Sequence, residues 1–223
     1  PHPEQAEAIS APPYDVLSTE EARVMASDNL LSFLHVSKPE IDLPQGTDPY
    51  APEVYTKGHE NFTRLQAEGI LELEEVPALY LYRQVMGDHS QTGLVALVDC
   101  AQYESGEIKK HELTRPVKEN DRVRHMEALN SQTGLVFLTY RAVDIIDKFV
   151  TERVVVEPDY DFTAVDGVRH TAWTVADDGD ISFLRDTFAE VDALYIADGH
   201  HRSAAAARVS KARNGSGGSD GFI

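Results

Sequence analysis

Ala193-Leu194-Tyr195-Ile196-Ala197-Asp198-Gly199-His200-His201-Arg202, running into the alanine-rich stretch Ser203 to Arg213, decides how this chain is read. An apolar run of strand length stops at an Asp-Gly turn, and a segment of high helix propensity follows. Strand, tight turn and helix in that order create an anion site. The first turn of a helix carries N–H groups without intrahelical partners and the positive end of the helix dipole. A phosphate is held there without any further device. Gly199 has no Cβ and lets the backbone approach closely. Arg202 offers a planar, permanently charged fork suited to phosphate oxygens. Asp198 offers a carboxylate for a metal ion or a proton, and His200 and His201 offer hydrogen bonds near neutral pH. A plain Asp-Gly turn needs neither the paired histidines nor the arginine, which favours a functional reading of the pentapeptide.

Upstream, His111-Glu112-Leu113-Thr114-Arg115-Pro116 precedes a charged segment expected to be a helix over Val117–Leu129, with Pro116 at its start. Glu112 is the type of residue that accepts a hydroxyl proton, and Thr114 and Arg115 suit an anion. Lys118, Arg122 and His125 fall on one helical face. Phosphoryl transfer asks for charge neutralisation and placement more than for covalent chemistry, and these residue types supply both. The competing reading is an ordinary solvated helix on which Asp121 pairs with Arg124 or His125. Near the start, Pro12-Pro13-Tyr14-Asp15 is extended and stiffened by proline. It is either a pocket wall carrying Tyr14 and Asp15 or a simple entry to the first helix, which Ser18-Thr19-Glu20-Glu21 opens with capping-box spacing.

The chain has 223 residues, enough for one large domain or two small ones. With 38 acidic and 20 basic side chains its net charge is −18, which opposes nonspecific attraction to DNA or to anionic membranes. Two islands run against this trend. Lys109–His125 and Asp198–Arg213 each carry a net charge of +3, which points to a small local anion rather than a polyanion. No stretch approaches the ~20 apolar residues that cross a bilayer, and the N-terminal residues do not resemble a secretory signal. The lone Cys100 reads as a small buried residue, and the absence of an internal disulfide fits a reducing cytoplasm. Adjacent histidines on a helix point about 100° apart, and no Cys-x-x-Cys or His-Glu-x-x-His occurs, so a structural zinc site is not expected.

Periodicity places helices over 50–68, 117–129, 143–150 and 181–191. It places strands over 30–36, 70–73, 78–86, 94–103, 108–113, 135–140, 153–156, 168–175 and 193–197. His35 and His59 sit among apolar positions and read as packing residues, as does Trp173. The mixture is an α+β (mixed α/β) fold, and no glycine triad of the dinucleotide-binding kind is present. The division expected is an N-terminal α/β region over 1–105 and a core carrying the pentapeptide over 106–223. Gly215–Gly218 reads as a flexible loop. Phe222-Ile223 reads as the opening of another strand, which makes the chain a C-terminally truncated piece of a longer polypeptide.

Three elements in this order, Ala11-Pro12-Pro13-Tyr14-Asp15-Val16, Thr114-Arg115-Pro116 with His125, and Ala197-Asp198-Gly199-His200-His201-Arg202, resemble the domain-of-unknown-function family DUF1015. The last element also resembles the ParB/sulfiredoxin superfamily, in which a comparable turn precedes a helix whose N-terminus holds nucleotide phosphate. Characterised relatives of this kind are free serine kinases, which move phosphate from ADP or ATP to the hydroxyl of serine. The resemblance implies a ParB/sulfiredoxin-like core and a nucleotide-dependent phosphotransferase acting on a small hydroxylated metabolite such as serine, with Mg2+. It implies Asp198 as catalytic residue and metal ligand, Gly199, His200, His201 and Arg202 on phosphate, and Glu112 as base with Glu119 as the alternative. Tyr14, Asp15, Thr114 and Arg115 are the candidate substrate contacts. A non-catalytic nucleotide-binding module and a phosphate-ester hydrolase are the other functions compatible with the same residues.

Overall fold

A computed structural model describes residues 1–213. In chain order these form α1 (Ala6–Ile9), α2 (Thr19–Ala26), α3 (Leu34–Ser37), α4 (Pro52–Ala67), β1 (Leu79–Met86), β2 (His89–Val95), α5 (Cys100–Ser105), β3 (Ile108–Lys109), α6 (Pro116–Leu129), β4 (Phe137–Thr139), α7 (Asp144–Arg153), β5 (Tyr160–Thr163), β6 (Arg169–Val175), α8 (Asp178–Ala189), β7 (Leu194–Asp198) and α9 (His200–Ala212). The fold is mixed α/β with two sheets. The chain divides into two compact units, each assembled from three stretches: Pro1–Glu7, Glu72–Leu97 and Tyr140–Asp192 in the first, Ala8–Leu71, Val98–Thr139 and Ala193–Ile223 in the second. This differs from a continuous division at 105/106. The reason is strand pairing: β1 hydrogen-bonds to β6, about ninety residues later, and β3 to β7. The expected loop at 215–218 and the strand opening at 222–223 lie outside the described residues.

The first unit is a four-stranded antiparallel sheet in the order β2-β1-β6-β5. Gly87, at φ +58, turns the β1–β2 hairpin. One sheet face buries Leu81, Trp173 and Val175 with Leu184 of α8, flanked by Phe149, Phe183 and Phe188. Asp177 caps α8 by accepting from the Asp180 N–H.

The second unit builds on the three-stranded sheet β3-β7-β4, with β7 central, parallel to β3 and antiparallel to β4. Its main core joins Ile108, Met126 and Ile196 to Ala204, Ala205, Ala206 and Ala207 of α9. Four small side chains in succession let α6 and the sheet approach that helix closely. A second cluster, Ile9, Val36, Leu65, Ile70 and Leu129, holds α4 to α6. The Ser18 capping box forms as its spacing predicts, with Ser18 accepting from Glu21 N–H and Glu21 from Ser18 N–H.

Several local expectations fail for identifiable reasons. Residues 30–36, read as a strand, end in α3, because Ser32 Oγ accepts from Leu34 N–H and the apolar run feeds two clusters from a helical turn. The run 94–103 splits: β2 stops at Val95, and Asp99 caps a new helix through Ala101 N–H. Residues 70–73 form no strand, and 153–156 end α7 instead of starting one. β5 escaped notice because only Tyr160 and Phe162 are apolar in it. His35 is buried as expected, but His59 is exposed.

Candidate functional site

All the candidate catalytic, phosphate-binding and substrate-binding residues belong to the second unit. β7 buries Ile196 and ends on Asp198, whose side chain is 68% exposed. Gly199 then takes φ +97 and ψ 27, the left-handed conformation that glycine adopts without strain. α9 begins at His200, three residues earlier than the alanine run suggests. The Gly199 carbonyl accepts from Ser203 N–H at 2.9 Å and from Ser203 Oγ at 3.1 Å. No side chain caps this helix end, so its first N–H groups keep their capacity for an anion.

Arg202 is turned inward. Its Nη1 donates to the Leu135 carbonyl and its Nη2 to Asp198 Oδ2, and its side chain is 11% exposed. Two glycines make room for it. A Cβ on Gly134 would lie 2.9 Å from Arg202 Cδ, and one on Gly199 would lie 3.3 Å from Arg202 Cζ. The guanidinium therefore acts on the corner by fixing Asp198 and the approach to β4. Asp198 Oδ1 keeps no protein partner among the described residues.

The segment 110–115 lies against the start of α9. Glu112 Oε2 stands 3.7 Å from His200 Nδ1, and the His111 ring meets the His200 ring edge-on at 4.5 Å between centroids. The Arg115 N–H donates to His201 Nε2 at 3.0 Å, so that α9 caps the N-terminus of α6. His200 is buried and its Nε2 has no partner. Burial, reinforced by the charge His111 can carry, pushes the His200 imidazole below its ordinary pKa against the pull of Glu112 and Asp198. Of the two candidate bases, Glu119 is fully engaged: Oε2 accepts from Thr114 Oγ1 at 2.6 Å and Oε1 from Arg208 at 2.7 Å. Burial works to raise its pKa, but these bonds outweigh it and hold the carboxyl below its usual range. Glu112 is 57% exposed and faces His200.

The Pro-Pro-Tyr-Asp segment joins from the other side. The Arg122 guanidinium lies 3.9 Å from the centroid of the Tyr14 ring, a cation–π contact. Arg122 is held by Asp121 Oδ2 at 2.9 and 2.6 Å, and Asp121 Oδ1 accepts from Tyr55 OH at 2.9 Å. Asp121 is therefore buried in a polar chain, not paired on a helix surface with Arg124 or His125. His125 is buried too, with Nε2 at 2.8 Å from the Val36 carbonyl. Burial lifts the Tyr14 hydroxyl above its ordinary pKa, against Arg122 and Arg202, and the Asp15 charge adds to the lift. Asp15 and Arg115 are exposed and Thr114 half-buried. Sequence reasoning missed the parts played by Gly134 and Tyr55, neither of which carries a local signal, and read Asp121 as a surface partner.

Among the described residues no group of three His, Cys, Asp or Glu side chains is arranged to hold a metal ion. Asp198 alone would supply one carboxylate oxygen. That suits Mg2+, which takes one or two carboxylates and fills its shell with phosphate and water. Two surface depressions lie elsewhere, one lined by Val143, Phe183 and Val191, the other by Pro52, Tyr55, Arg124 and Glu127. Neither depression is lined by residue 198 or its neighbours in the corner.

A family model described as "Protein of unknown function (DUF1015)" matches residues 1–221. The chain belongs to this family. No curated protein and no solved structure matches it. In this DUF1015 chain the three stretches that carry the family resemblance, far apart in sequence, meet around one helix start.

Proposed function

We propose that this protein is a phosphotransferase that moves a phosphoryl group from ADP or ATP to the hydroxyl of a small metabolite, with free serine as the first candidate. The observation that carries the reading is the convergence at the uncapped start of α9: the exposed Asp198 on one side, the Glu112–His200 pair on the other. The N–H groups of the first turn and the glycine bend supply the phosphate cradle. Arg202 keeps Asp198 aimed outward. Asp198 would be the protein ligand of Mg2+, and the ion would supply charge neutralisation at the phosphate oxygens. The hydroxyl oxygen attacks the terminal phosphorus, the bond to the bridging oxygen breaks, and the shortened nucleotide leaves with that oxygen. The hydroxyl proton passes to the Glu112–His200 pair. Glu112 supports this role better than Glu119, whose oxygens are both engaged. Tyr14, Asp15, Thr114 and Arg115 flank the corner as substrate contacts. In this reading the β7–Gly199–α9 corner is a nucleotide-binding core of the ParB/sulfiredoxin kind, and the cytoplasm is where its substrates occur.

The test is incubation with ADP or ATP, Mg2+ and a pool of amino acids, followed by mass spectrometry. A phosphorylated amino acid is the expected product. Asp198→Asn should abolish it and leave nucleotide binding measurable by calorimetry. Free phosphate without product would make the protein a phosphate-ester hydrolase, and binding without turnover a regulatory module. Full activity of Asp198→Asn would overturn the catalytic assignment.

A further inference from the structure

His200 is the one buried imidazole at the corner with an orphaned nitrogen. Its side chain is 5% exposed, and Nε2 meets no hydrogen-bond partner among the described residues. A buried polar atom without a partner calls for one, and a ligand entering the corner can supply it. The other ring nitrogen decides what the orphan can bind. Nδ1 faces the Glu112 carboxylate at 3.7 Å, longer than a formed hydrogen bond but of the kind that tightens when a site is filled. A carboxylate accepts only, so the ring proton belongs on Nδ1. Nε2 is then an acceptor. Phosphate oxygens are acceptors as well and make a poor partner for it. The complementary group is a donor.

We infer that His200 reads the acceptor's hydroxyl through Nε2, with Glu112 as the positioning residue that fixes the tautomer, and does not contact the nucleotide phosphates. This rests on the phosphotransfer reading for its acceptor. It moves His200 away from the phosphate-binding role that its place in the pentapeptide suggests. His201 differs from it, because its Nε2 already accepts from Arg115 N–H. The groups around His200 are His111, Glu112, Asp198 and His201. Of these, the irregular and exposed segment bearing His111 and Glu112 is the one able to yield to an entering ligand, since no sheet or helix bonds hold it.

Two measurements test this on the whole chain. Long-range 15N–1H spectra should show His200 protonated on Nδ1 in the wild type and in Glu112→Gln, which keeps an acceptor, but not in Glu112→Ala. With nucleotide and Mg2+ present, L-serine should shift the Nε2 resonance and L-alanine should not. In kinetics, His200→Gln should raise the KM for L-serine by about tenfold or more, as expected for an unmatched hydroxyl contact, with nucleotide affinity held within about twofold. An Nε2-protonated wild type, or equal responses to serine and alanine, would overturn the inference. If phosphoserine forms but His200→Gln weakens nucleotide and spares the serine KM, the inference falls and the phosphotransfer reading stands. If the tautomer and the serine-specific shift appear without any phosphoserine, the phosphotransfer reading falls and serine recognition stands.

Discussion

Arg202 can be a phosphate ligand or an internal clamp, and its removal separates the two. Arg202→Met keeps most of the volume and deletes the bonds to the Leu135 carbonyl and Asp198. A bond from a charged donor is worth about 1.5–3 kcal/mol, which applies to the buried contact with Leu135. Asp198 is mostly exposed and regains water, so its ion pair counts for about 0–1 kcal/mol. The total is a loss of about 2–4 kcal/mol. For a chain of this length each kcal/mol moves Tm by about 2–4 °C, so a fall of about 4–15 °C is expected. Thermal unfolding followed by circular dichroism reads it, and Trp173 fluorescence reports the first unit separately. Arg202→Lys keeps the charge but not the fork, reaches one acceptor at a time, and should recover about half of the loss. An Arg202→Met protein with unchanged Tm and nucleotide affinity reduced more than about tenfold would refute the clamp and make the guanidinium a direct ligand.

Gly199→Ala forces an L-residue into the left-handed region, at about 1–2 kcal/mol, and drives a Cβ to 3.3 Å from Arg202 Cζ and from Val136 Cα. Gly106→Ala, at φ +82 with open space around its Cβ, carries the backbone term alone, so the difference in urea midpoint between the two variants measures the clamp contact and should be clearly positive. Burial, then the Arg122 charge, push His125 down to about 4, against its bond to Val36 and the charge of Asp121. The unfolded imidazole takes a proton as pH falls through its ordinary value and the folded one only near 4, so stability is complete above pH ~6.5 and drains by up to ~3 kcal/mol on the way to pH 4. Urea titrations at pH 7.5 and 5 should show that loss in the wild type and a smaller one in His125→Gln; equal losses would remove His125 as the cause. His35 has the opposite sign, since its bond to Asp42 raises its pKa despite burial, so its contribution is present at low pH and lost as pH rises through the folded value. Asn61 donates at 2.7 Å to both the His35 carbonyl and Asp42 and is buried, so Asn61→Ala should cost about 2–3 kcal/mol by denaturant unfolding, and a loss under about 0.5 would discount those bonds.

The most legible part of the chain was the strand-turn-helix at 193–213, because three local rules agree there: an apolar run, a glycine needed for positive φ, and an alanine-rich helix. The Pro116 start of α6 and the Ser18 cap were legible for the same reason. What local patterns did not reveal is the direction of side chains. Arg202 is expected on phosphate and Arg122 on a helical face shared with Lys118 and His125, yet both fold inward, one onto a carbonyl admitted by Gly134 and the other onto Asp121 and Tyr14. Nothing near Tyr55 announces that its hydroxyl meets residue 121. The division into units was equally hidden, since it depends on which strands pair across long separations. The run 30–36 misled because a short apolar stretch has the same composition in a buried helical turn as in a strand.

The charge distribution is compatible with the proposed anion site on an acidic protein. The first unit holds 6 basic and 19 acidic residues, a net of −13, which leaves −5 for the second. Both basic islands, 109–125 and 198–213, belong to the second unit, and α6 and α9, which carry most of them, pack against each other. Exposed charges beyond about 8 Å are screened at physiological salt, so a small phosphate at the start of α9 responds to its neighbours rather than to the total. Those neighbours include an uncapped helix end. Arg208 and Arg202 are largely occupied by Glu119 and Asp198, which removes the competing cations that would bind a phosphate away from that end. The acidity of the whole opposes long polyanions, while in the proposed reading the local field at one helix start leaves room for a nucleotide phosphate.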